Sequence, residues 1–126
     1  MQPQTEFLEQ VCRTVDSFGL PYACTVGPLP EHGGISVELT QGDTQTYLNR
    51  QECHRLTLLF LCKHKNQKTA MDMAATIRNR LSRQERYPRG KTFDWISLEA
   101  GELQWNGDQG GHIYALTTEA LLYFRR

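Results

Sequence analysis

The sequence predicts an α+β fold, a mainly antiparallel sheet with two helices packed on one face. Three observations carry this. In the run HRLTLLFLC, Leu56, Leu58, Phe60 and Cys62 alternate with Thr57, Leu59 and Leu61, so both faces are largely apolar and the run predicts a strand covered on both sides. After the polar junction 63–67, Ala70, Met73, Ala74, Ile77 and Leu81 recur at three- and four-residue intervals behind Asn66, a capping residue, and predict an amphipathic helix. The C-terminal stretch HIYALTTEALLYF alternates over its whole length, and Thr117 and Thr118 favour a strand over a helix.

The remaining elements follow in order. Pro3 suits a first helical turn, and Phe7, Leu8, Val11, Cys12, Val15 and Phe18 form a helical stripe that Gly19 and Pro21 stop, predicting a helix over 5–18. A short extended piece at 22–26 precedes a loop broken by Pro28, Pro30, Gly33 and Gly34. Ile35, Val37 and Leu39 alternate with Ser36, Glu38 and Thr40, which predicts a strand with one face in water. Residues 44–53 fit either a strand or a polar loop. The second helix is expected from Gln67 to about Arg83, because Tyr87-Pro88-Arg89-Gly90 cannot continue it. A strand at 93–98 around Trp95 is followed by a bend at 102–111 whose tip, 106–111, is rich in turn formers.

The chain of 126 residues, 39% hydrophobic and 22% charged, fits one domain over 1–126 that buries a core without disulfides or metal. No apolar run approaches the roughly 20 residues needed to cross a bilayer, and the first seven residues lack the basic-then-apolar order of a signal peptide. An intracellular protein without membrane contact is expected. The cysteines at 12, 24, 53 and 62 sit in or beside apolar segments without a C-x-x-C pair, as reduced core thiols do.

Lys plus Arg and Asp plus Glu are 14 each, yet the charges are unevenly placed. Residues 1–52 carry seven acids against Arg13 and Arg50, a net of −5, whereas 78–91 carry Arg78, Arg80, Arg83, Arg86, Arg89 and Lys91 against Glu85, a net of +5. These six basic residues are the candidate interface. Three roles compete for them: contact with nucleic-acid phosphates, the solvated end of a helix, or contact with an acidic surface of another copy. Tyr87 is the one aromatic there that could stack on a base.

No pattern for chemistry emerges. Cys53-His54 and Cys62-Lys63-His64 have the residue types of a zinc site, but not the spacing of a familiar zinc module. The glycines at 33, 34, 107, 110 and 111 form turns rather than a phosphate cradle, since neither cluster stands between a strand and a helix. Asp94, Glu99 and Glu102 have no histidine or nucleophile placed beside them by pattern. No enzyme, cofactor or small-molecule substrate is expected.

The succession of an N-terminal helix (EFLEQVCRTVDSF), an apolar strand (LTLLFLC), a helix (KTAMDMAATIRNRL), a tryptophan-bearing strand (FDWISLEAG) and a long final strand (HIYALTTEALLYF) covers nearly the whole chain. It resembles the tail terminator proteins of long-tailed bacteriophages and prophages, many of which are filed as minor capsid proteins. The resemblance implies an α+β subunit without catalytic residues that closes into a ring, usually of six, on the completed tail tube, and that can be a monomer or dimer in isolation, because such rings often assemble fully only on the tube. That ring stops the tube protein from polymerising further and offers a surface to the head connector. It implies a place in the virion tail after assembly in the host cytoplasm. The loop at 28–34 and the tip at 106–111 are expected to order on assembly. A nucleic-acid-binding module using 78–91 is the competing reading.

Overall fold

The computed structural model describes residues 3–40, 44–48, 51–82, 84, 87–88, 90–108 and 111–124. Helix α1 (Pro3–Asp16) leads into strands β1 (Cys24–Val26), β2 (Gly34–Leu39), β3 (Thr44–Leu48) and β4 (Gln51–His64). Helix α2 (Gln67–Ser82) and the hairpin of β5 (Phe93–Asp108) and β6 (His112–Phe124) complete the chain. The fold is α+β. Its sheet runs in the order β1-β2-β4-β6-β5, with β3 pairing β4 beyond the end of β2. All the pairs are antiparallel except β1 with β2.

One core joins both helices to one face of this sheet. Phe7, Val11 and Val15 of α1 and Ala70, Met73, Ala74, Ile77 and Leu81 of α2 meet Ile35, Val37, Leu58, Phe60, Leu116 and Leu122, all fully buried or nearly so. Phe7 is wedged edge-on between Phe93 (centroids 5.5 Å) and Trp95 (4.9 Å), so α1 also reaches the start of β5. Asn66 caps α2 as its position predicts, its Oδ1 accepting from the N–H groups of Lys68 (3.0 Å) and Thr69 (3.3 Å). Helix α1 begins at Pro3 and ends at Asp16, before a turn in which Phe18 N donates to Val15 O and Gly19 adopts φ 76°.

Four expectations are corrected or settled. Strand β4 is not covered on both sides: Leu56, Leu58, Phe60 and Cys62 are buried against the helices, but Thr57, Leu59 and Leu61 on the other face are half-buried, because both helices lie on one side. Strand β2 does not have one face in water. Ser36 is 0% exposed, and the loop before the strand folds over this end: Pro30 presses on Gly34, and Lys63 Nζ, beside Gly34 in the ladder, donates to Glu31 O at 2.9 Å. Residues 44–48 form a strand, paired from Thr44↔Arg55 to Leu48↔Gln51.

The fourth concerns β5, which does not bend after residue 98 but runs on to Asp108. Register shifts between Trp95 and Ser97 and between Ala100 and Leu103 each insert one residue against β6. Each bulge reverses the alternation, so Trp95, Leu98, Ala100 and Leu103 all lie opposite helix-side residues of β6 although their spacing is uneven. Of the predicted tip, residues 106–108 belong to β5, while 109 and 110 lie outside the described residues.

Candidate interaction surfaces

The basic stretch begins on the last turns of α2, and the structure separates its first two members. Arg78 Nε donates to Gly101 O at 2.8 Å, satisfying a carbonyl at the second bulge of β5, and its guanidinium lies 3.7 Å from Glu102. Arg80 points the other way, as a two-residue step on a helix requires. Its Nη1 donates to Phe18 O at 3.2 Å, while its guanidinium lies 4.8 Å over the Phe18 ring. These arginines fasten α2 to β5 on one flank and to the end of α1 on the other. Lys91 is exposed beside the Glu6–Thr92 contact. Arg83, Arg86 and Arg89 lie outside the described residues.

Glu6 binds the same connection from α1. Its Oε1 accepts from both the N–H and the hydroxyl of Thr92, each at 2.9 Å. The backbone N–H of Thr92, then burial in opposition, the Thr92 hydroxyl and Lys91 act on this carboxyl, and together they hold it below the ordinary glutamate value.

The thiols occupy two separate places. Cys12 of α1 and Cys24 of β1 are hydrogen-bonded to each other, which lowers the Cys12 pKa and, with burial, raises that of Cys24. Asp16 Oδ1 accepts from Cys24 N at 2.7 Å, holding α1 against this edge. Cys62 is in the same core, its thiol pushed up to about 12 by burial. Cys53 is nine positions from Cys62 on β4 and therefore on the opposite face, about 30 Å along the strand. The zinc residue types are thus not brought together, and among the described residues no group of three or more His, Cys, Asp or Glu could hold a metal ion.

The surface that the sequence did not single out is the sheet face turned away from the helices. Thr57, Leu59 and Leu61 of β4 lie here with their β6 partners Glu119, Thr117 and Ala115. Glu99 of β5 is paired directly with Glu119, and Arg55 reaches Glu119 at 4.0 Å. Two depressions open on this face, one lined by Thr57, Glu99, Gly101, Thr117 and Glu119, the other by Arg55, Ser97, Glu119 and Leu121. The signal for it was present in Leu59 and Leu61, whose apolar character implied a cover that the chain's own helices do not supply. Among the described residues, no helix is long and apolar enough to cross a membrane.

No family model and no curated protein matches the chain. Among solved structures, it is similar to a chain described as "Virion of native gene transfer agent (GTA) particle", with a TM-score of 0.59 and 12% identity over 92% of this chain and 91% of that one. At that identity the likeness is one of fold, and it extends over nearly the whole of both chains.

Proposed function

We propose that this protein is a structural subunit of a phage-like virion, and more specifically a tail terminator that closes into a ring on the tail tube and forms the joint with the head connector. The observation that carries the reading is the shared fold with a virion chain over 92% of this sequence. It joins the order of elements, in which helix, apolar strand, helix, tryptophan-bearing strand and long final strand succeed one another as in tail terminators. The side chains support it too: Arg78 and Arg80 spend their guanidinium groups on Gly101, Glu102 and Phe18. That favours assembly over nucleic-acid binding, which needs such groups available for phosphates.

The implied partners are further copies of the chain, the tube protein and the connector. With Arg78 and Arg80 engaged within the chain, Arg83, Arg86, Arg89 and the exposed Lys91 are the members of the basic stretch proposed to contact an acidic surface of a neighbouring copy. A ring of this kind needs a heterologous interface, one patch meeting a different patch on the next copy. Electron microscopy of the protein mixed with tail tubes tests the reading directly. Capped tube ends are expected, and bare ends at saturating protein exclude it. A charge-assisted interface also makes association salt-sensitive, so sedimentation should show smaller species at high ionic strength.

A further inference from the structure

We infer that the sheet face turned away from the helices is the seat for the α2 side of a second copy, so that head-to-tail contact covers the sheet on both faces. The inference rests on the ring reading and names both of its surfaces. Within the chain the helices cover one face only, and the other presents half-buried Leu59, Leu61, Ile113 and Leu121. A strand apolar on both faces, as β4 is, belongs in a layer covered on both faces.

Charge selects the occupant. Glu99 and Glu119 stand directly opposite one another, an arrangement that costs stability in the isolated chain and is only partly relieved by Arg55 at 4.0 Å. At the start of α2 and just before it, Lys68 and Lys65 are exposed, against Asp72 as the one acid among residues 65–82. A second copy of this chain therefore brings the sign of charge that the glutamate pair lacks. The outward side of α2 also suits a flat seat: Met71 is 41% exposed, and Ala75 and Thr76 are half-buried, between the exposed Lys68 and Arg80. A helix of 16 residues is about 24 Å long, enough to lie across several strands spaced about 4.8 Å apart.

Head-to-tail contact makes an experiment with two blocked surfaces decisive. Thr117→Arg blocks the sheet face and Met71→Glu blocks the helix face; both positions are exposed, so both variants fold, as circular dichroism checks. In sedimentation velocity the wild type associates with rising concentration, each variant alone stays monomeric, and their equimolar mixture forms a one-to-one dimer through the single intact pair of surfaces. If the wild type and both variants associate alike, the surfaces named here are wrong while the ring reading stands. If Thr117→Arg alone abolishes association, the contact is sheet to sheet and the inference fails. A mixture that stays monomeric when each variant is monomeric also overturns it. A wild type that remains monomeric at its highest soluble concentration overturns this inference while leaving a ring that assembles on the tube, whereas bare tube ends in the microscope would exclude the terminator role.

Discussion

Glu6 and Thr92, 86 positions apart, are joined by two hydrogen bonds of 2.9 Å to a single carboxylate oxygen. The contact ties the first turn of α1 to the start of β5 and is stronger with the carboxylate ionised. Because the folded pKa is held below the unfolded one, its stabilisation is present above the ordinary glutamate value of about 4.3 and is lost as pH falls through the folded pKa. Glu6→Gln should lower the melting temperature at pH 7, and the gap to the wild type should narrow as the pH is lowered past that window. Thermal melts at pH 7 and pH 3 check both.

Gly90 is enclosed by the same contact. A Cβ there would collide with the Phe93 ring and the Glu6 carboxylate, and Gly90 N donates to Phe93 O at 3.0 Å. Gly90→Ala should destabilise the fold by about 1–3 kcal/mol, the usual cost of overpacking. Urea unfolding would show it as a lower midpoint with an unchanged slope.

Phe7 is the aromatic wedge behind this corner, fully buried between Phe93 and Trp95. Phe7→Ala should cost about 3–5 kcal/mol. The indole of Trp95 reports the change through its fluorescence.

Asn66 caps α2 at two backbone N–H groups. Asn66→Ala should cost about 1 kcal/mol, whereas Asn66→Asp, which keeps the acceptor, should cost little. Amide exchange at Lys68 and Thr69 should quicken in the alanine variant alone.

The thiols should separate by reactivity. Cys12 is half-buried with a lowered pKa, while Cys24, Cys53 and Cys62 are buried and the Cys62 thiol is pushed up to about 12. Iodoacetamide at pH 8 should modify Cys12 first and reach the others only on unfolding. Peptide mapping identifies the site, and Cys12→Ser should remove the fast phase.

The elements legible in the sequence were those whose pattern is local. The stripe from Ala70 to Leu81 implies a helix wherever it is placed, Asn66 implies its start, and the alternation from His112 to Phe124 implies a strand along its full length. The start of β5 at 93–98 was legible too, but its continuation to Asp108 escaped because its bulges depend on β6. Without the partner, the three-residue steps from Trp95 to Leu98 and from Ala100 to Leu103 break the period, whereas in the ladder they restore it.

The candidate interface was legible only as charge. Composition showed a basic stretch at 78–91, but which of its members are committed within the chain is a matter of helix phase and of what lies beside each flank. Only the folded chain sets Arg78 against Gly101 and Arg80 against Phe18. The sequence by itself determined the α+β class, the two helices and the apolar strands, since hydrophobic periodicity is a property of neighbours along the chain. The tertiary structure decided that no helix covers one face of β4 and that Glu99 meets Glu119 there. Burial and cross-strand pairing depend on residues distant in sequence, and their positions are set only when the whole sheet is assembled.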